Sequence, residues 1–311
     1  MKRLFLLMAV TLVALCSSIA AAMAQAPERQ NWDEGFLLYG NVESVTITHY
    51  GLQDKFGEVI RGDVENIKCY RFNAVGDVIE YARYNSDGSL NSKCISKYDS
   101  SGNKIEEAQY NSDGSLDLKS ISKYDSSGNN IEKAWYNRDG SLDCKSIYKY
   151  DTSGNNIEKA GYDSDGSLWS KTIYKYDSSG NVIECASYDC DGSPDWKHIC
   201  KYDSSGNVIE SVSYESGDLY SRSVSKYDTS GNKIEYVEYG CTDSLLWTVI
   251  YKYDTSGNTI EIDVYGNDCL LRTKYIYKYD SFRNLIEKTE YSTDVLIPRY
   301  QKEYKIVYRN E

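Results

Sequence analysis

Lys123-Tyr124-Asp125-Ser126-Ser127-Gly128-Asn129-Asn130-Ile131-Glu132, followed by Tyr136-Asn137-Arg138-Asp139-Gly140-Ser141-Leu142, is the stretch whose reading decides the fold. Each part is a tyrosine, a polar turn containing glycine, and an aliphatic residue. Asp125 suits the first position of a type I turn, because its carboxylate accepts bonds from the following backbone amides. Gly128 can take the left-handed conformation that closes such a turn. Type I turns ending in glycine are a common route to short hairpin loops. The segments between turns, such as Asn130-Ile-Glu-Lys-Ala-Trp-Tyr136 and Lys171-Thr-Ile-Tyr-Lys-Tyr176, are rich in β-branched and aromatic residues and have no helical period.

Moving outward, the same segment opens at Lys97, Lys123, Lys149, Lys175, Lys201, Lys226 and Lys252, with degenerate copies at Arg71 and Lys278. The period is 26 residues. A fixed period means that one supersecondary unit is stacked repeatedly, so no single compact catalytic domain fills the chain. The one 25-residue step, Lys201 to Lys226, arises where Glu215-Ser-Gly-Asp218 is a residue short. A deletion is tolerated in a turn and would flip every later side chain in a strand. On one face of a strand lie Glu132, Ala134 and Tyr136, and on the other Ile131, Lys133 and Trp135. Both faces carry charge, which argues against the dry interior of a parallel solenoid. The expected fold is therefore all-β: an elongated tandem-repeat antiparallel sheet, a meander of hairpins, twisted or curled. In all nine copies a basic residue precedes Glu by nine positions, from Arg71 and Glu80 to Lys278 and Glu287. That spacing predicts contact across each hairpin, directly opposite or diagonal.

The expected organisation is a signal peptide at 1–24, a leader at 25–35, irregular cap strands at 36–70, repeats at 71–297 and a closing strand at 298–311. Lys2 and Arg3, the apolar run Leu4 to Leu15, and Ala22-Met23-Ala24 form the export signal. Lipidation at Cys16 is an alternative, disfavoured by the bulky Leu15 before it. Export places the protein in the periplasm, at the cell surface or outside the cell. No second long apolar stretch follows, and no membrane span is expected. The mature chain carries 33 basic against 47 acidic residues, which disfavours nucleic acid as a partner.

Catalytic residues, a metal site and a cofactor are not expected. The glutamates at Glu80, Glu106 and Glu132 are equivalent copies, whereas an enzyme needs one asymmetric constellation. Asp163-x-Asp165-Gly166 and Asp189-x-Asp191-Gly192 lack the remaining ligands of a calcium loop. Only His49 and His198 could join the eight mature cysteines in a zinc site, and no CxxC pair exists. The aromatic residues hold the binding potential: Trp135, Trp169, Trp196 and Trp247 lie on strands or strand starts and could stack on sugar rings.

Tyr-Asp-x-x-Gly-x-x-Ile, as in Tyr176-Asp-Ser-Ser-Gly-Asn-Val-Ile183, resembles the YD repeat of Rhs-type bacterial proteins and teneurins. The half-repeat Tyr-x-x-Asp-Gly-x-Leu resembles MORN-like hairpin repeats. The likeness covers roughly residues 42 to 308 and departs from the pattern in having Asn103, Asn129 and Asn155 where Arg is common. It implies a shell or spiral of β-sheet, with carbohydrate binding in some members. Two functions follow as expectations. One is an exported non-enzymatic binding or surface scaffold meeting a glycan or envelope component. The other is a structural or immunity-type protein–protein interaction module.

Overall fold

A computed structural model describes residues 36–55, 58–292 and 297–309. The expected export signal, Cys16 and the leader lie outside them. Two long strands come first, β1 (Val42–Lys55) and β2 (Glu58–Phe72). Short strands follow from β3 (Val78–Asn85) to β19 (Leu285–Ser292), and β20 (Ile297–Tyr308) ends the chain. Every consecutive pair from β1 to β20 is antiparallel, which bears out the all-β hairpin reading.

The ends overturn the rest of it. β1 pairs along one edge with β2 and along the other with β20, where Val45 faces Ile306 and Ile47 faces Tyr304. The twenty strands therefore form one closed ring, a barrel without edges. An elongated open meander is excluded, and with it the open YD-repeat and MORN-like architectures that the motif suggested. The motif is a property of the turns. It specifies a hairpin and does not say whether the last hairpin meets the first.

Each repeat builds two turns, one at each end of the barrel. In the first, the Gly128 amide donates to the Asp125 carbonyl at 3.1 Å and the Asp125 amide to the Asn129 carbonyl at 2.9 Å. Gly128 has φ of 84°, so the loop is a type I turn closed by a glycine bulge. Asp125 Oδ1 also accepts from the Ser127 and Asn129 amides, and Asn129 Nδ2 donates to Asp125 Oδ2 at 2.9 Å. A second irregularity lies where Lys123 faces Glu132 but Tyr124 faces Asn130, leaving Ile131 as the extra residue. This bulge brings the basic residue and Glu directly opposite in every hairpin. The pairs touch: Lys123 and Glu132 at 2.7 Å, Lys149 and Glu158 at 2.8 Å, Lys278 and Glu287 at 2.6 Å. Several glutamates hold a second lysine from the next strand, as Glu158 holds Lys171 at 2.7 Å.

The repeat tyrosine has a local purpose. Tyr150 donates its hydroxyl to the Asn130 carbonyl at 2.8 Å, and Tyr124 donates to that of Lys104 at 2.8 Å. Those carbonyls lie past the last ladder bond with the following strand, which begins at Glu132 and Glu106. Each tyrosine thus satisfies a backbone acceptor that the bulge leaves over.

The two faces of the sheet differ. One carries the Glu–Lys rows with Ile121 and Ala134 between them. The other carries Val45, Ile47, Tyr70, Phe72, Tyr277 and Tyr304, all nearly or wholly buried, with Phe36 and Leu38 packed against them. Side chains from seven neighbouring strands converge there only if that face is concave. It is the inner face of the barrel, and the charged rows face outward. Away from this seam the inner face stays in contact with solvent: Trp169 is exposed, and Ser122, Lys133 and Trp135 are half-buried.

Candidate functional site

The four tryptophans occupy related places. Trp135 lies on β7 (Asn130–Asn137), Trp169 on β10 (Leu168–Tyr176), Trp196 on β12 (Pro194–Tyr202) and Trp247 on β16 (Leu245–Tyr253). Strand alternation puts Trp135, Trp196 and Trp247 on the inner face, opposite in sense to the outward Lys and Glu neighbours. All four stand within a few residues of the second turn of their repeat, so they share one mouth of the barrel. They do not form an unbroken row, because the strands between them carry other residues at these positions. Trp169 and Trp196, two strands apart, are separated by about 10 Å at the backbone.

A small residue adjoins each ring. Trp135 faces Ser120, Trp196 faces Ser187 and Trp247 faces Gly266. Trp169 sits at a register shift and lies over Gly161, where an added Cβ would come within 2.5 Å of its ring. Gly161 takes the place that Gln109 and Trp135 hold in earlier repeats, and that exchange was readable in the sequence. Trp169 thus has one side against backbone, whereas beside Gly266 it is the Arg272 side chain that fills the space. Trp169 is 49% exposed and Trp247 36%. Lys133 Nζ lies 5.2 Å from the centre of the Trp135 ring, adding a cation to the apolar surface.

Polar groups on the same inner face were not anticipated as site residues. His198 Nδ1 is 2.9 Å from Ser213 Oγ, and burial lowers the imidazole below its ordinary range. Burial pushes the Tyr236 phenol up, reinforced by its bond to Glu238 Oε2 at 2.6 Å. These shifts follow from removing charge from water and leave His198 and Tyr236 neutral at pH 7. Among the described residues no group of three His, Cys, Asp or Glu could hold a metal ion. A groove of about 750 Å³ lies at the opposite mouth, between neighbouring first turns, where Asp177, Asn181 and Asp203 line it. It shares no residue with the tryptophan mouth.

A family model described as a protein of unknown function (DUF2963) matches residues 84–135 and 110–160, and one described as an uncharacterised protein matches 189–310. None of the curated proteins matches the chain. Among solved structures, a porin-like protein from Bacteroides uniformis is similar at 8% identity and a TM-score of 0.39, covering 86% of this chain and 98% of that one. A porin-like protein from Bacteroides vulgatus is similar at 11% identity and a TM-score of 0.28, covering 87% and 99%. The Photorhabdus luminescens Tc holotoxin pore is similar at 13% identity and a TM-score of 0.22, covering 78% of this chain and 19% of that one. The fold rests on the strand pairing and not on these likenesses.

The chain forms a closed β-barrel of twenty antiparallel strands. The expectation of no membrane span needs correction. It rested on the lack of a long apolar stretch, and no described helix is long and apolar enough to cross a membrane. A closed barrel crosses with strands and needs no such stretch, so that argument has no force here.

Proposed function

We propose that this barrel binds a glycan or another component of the cell envelope at its tryptophan-bearing mouth. The observation that carries the reading is the shared placement of Trp135, Trp169, Trp196 and Trp247: one face, one end, each beside a small residue. A planar ring with an exposed surface offers an apolar platform to the C–H face of a sugar, while neighbouring Lys133 and Glu238 can meet its hydroxyls. The equivalent outward glutamates and lysines neutralise one another in rows.

The test is a glycan array with the mature protein, followed by tryptophan-fluorescence titration of any hit and a pull-down from the cell envelope. The expected result is saturable quenching, weakened at least tenfold by Trp169→Ala. An array without signal, combined with one stoichiometric protein partner, would replace this reading with the protein-interaction alternative.

A further inference from the structure

Lys104 and Lys233 hold the same place in their repeats, directly after the turn asparagine. They open β5 (Lys104–Asn111) and β15 (Lys233–Gly240), and each faces the repeat tyrosine of the strand before, Tyr98 and Tyr227. The bulge at Ile105 and Ile234 turns the third residue after each lysine to the same inner face, beside the amine. There the two repeats part. At Lys104 that neighbour is Glu107, whose Oε2 accepts from Nζ at 2.8 Å. At Lys233 it is Tyr236. The following strand widens the difference. On β6 (Leu116–Tyr124) the inner residues beside this site are Ser120 and Ser122, whereas on β16 they are Val249 and Tyr251.

Lys233 Nζ lies 5.8 Å from the centre of the Tyr227 ring and 5.7 Å from that of Tyr236. The next inner residue along its strand, Glu238, is occupied by the Tyr236 hydroxyl at 2.6 Å. Among the described residues no carboxylate forms an ion pair with Lys233, and its side chain is half-buried. Burial therefore pulls this amine below the ordinary lysine value. At Lys104 burial pulls the same way, but the bond to Glu107 and its charge outweigh it and hold that amine above the ordinary value. The phenols around Lys233 supply no charge at pH 7. Tyr227 on β14 (Asp218–Tyr227), Tyr236 on its own strand, and Tyr251 and Tyr253 on β16 are all raised by burial.

We propose that Lys233 is a carbonyl-capture site, whose amine condenses reversibly with a ligand aldehyde between the Tyr227 and Tyr236 rings. A lysine without its proton is a nucleophile, and removal from water and from carboxylates is the usual way to produce one. The amine nitrogen adds to the carbonyl carbon to give a carbinolamine. The carbonyl oxygen then leaves as water with both amine protons, and a C=N bond remains. The step needs no oxidant or reductant. Lys233 adjoins the first turn of its repeat, at the mouth opposite the tryptophans, so the site stands or falls apart from the proposed glycan mouth.

The experiment incubates the mature protein at pH 7 with glyceraldehyde or hexanal and sodium cyanoborohydride, which reduces each imine where it forms. Peptide mass spectrometry then reads the initial rate at every lysine. Lys233 should be labelled about tenfold faster than Lys104 and than Lys149 on the outer face. The margin should shrink as the pH approaches 10.5, where the other lysines lose their protons too. Tyr236→Glu supplies the carboxylate that Lys104 has and should bring Lys233 down to the Lys104 rate. Rates taken relative to Lys149 identify the source: a preference for glyceraldehyde assigns the carbonyl to an open-chain sugar, and one for hexanal to an apolar aldehyde. The proposal is overturned if both probes label Lys233 no faster than Lys104 at pH 7, a result that needs no variant to fold. It is equally overturned if Tyr236→Glu, with wild-type circular dichroism, leaves the Lys233 rate unchanged.

Discussion

Closure of the ring makes a prediction that an open sheet does not share. Ile47 is wholly buried on β1, and Tyr304, 4% exposed, faces it from β20. Ile47→Ala removes three carbons, worth about 2.4 kcal/mol at about 0.8 kcal/mol each. The cavity left behind raises the expected cost to about 3–5 kcal/mol. Tyr304→Ala should cost a similar amount, since a large buried aromatic is lost. Because the two side chains touch, the double variant should cost less than the sum of the singles, with a coupling of about 1–3 kcal/mol. Urea unfolding followed by circular dichroism, on the wild type and the three variants, measures all four corners of the cycle. In an open sheet these residues would sit on opposite ends of the molecule and their effects would add within about 0.5 kcal/mol. Additivity of that kind would refute the closed ring.

Other expectations follow from the repeats and the tryptophan mouth. Tyr150→Phe removes the hydroxyl that caps the Asn130 carbonyl and should cost about 0.5–1.5 kcal/mol in the same unfolding assay, with no change in strand content. Gly161→Ala should destabilise by about 1–3 kcal/mol and shift the tryptophan emission, because the new methyl displaces the Trp169 ring. A gain in stability, the usual effect of replacing a strand glycine, would show that Trp169 does not stack there. Acid should unfold the barrel in two stages. His198 has its folded value depressed by burial, so its contribution is complete above pH 6.5 and lost as the pH falls through that depressed value. His198→Gln should flatten this part of the Tm profile. The turn aspartates Asp99, Asp125 and Asp151 are held below 3.8, first by the bond from the Asn side chain four residues on. Their contribution is complete above pH 3.8 and lost as the pH falls through the lowered values.

Much of the hairpin was legible in the sequence. Asp125 and Gly128 specify the turn, and the one-residue deletion at Glu215–Asp218 marks where turns fall. The Lys123–Glu132 contact follows from spacing alone, although its direct opposition needed the bulge at Ile131, which no residue type announces. Closure was not legible. It depends on β1, β2 and β20, whose sequences depart from the repeat, and on the accumulated curvature of all the hairpins between them. Degenerate end copies look like caps on an open stack, and here Val45 and Ile306 meet across the gap. The charge on both faces was read correctly as incompatible with a dry core. An interior still in contact with water reconciles that pattern with a closed wall. The tryptophans could be named from sequence, but their common mouth could not, because Trp169 reaches it through a register shift.

The pairing of β1 with β20 also sets an order of events. Seventeen short strands can each find a neighbour next in line, with loops of only a few residues to close, and such contacts form in microseconds. The final seam joins Val42 to Tyr308 and must wait until the last strand exists, at the entropic cost of the longest loop in the molecule. Until then both end strands offer bare edges, the state in which a β chain is most exposed to aggregation. A chain delivered from its N-terminal side therefore completes its wall only once β20 has emerged, and closure is the last pairing to form.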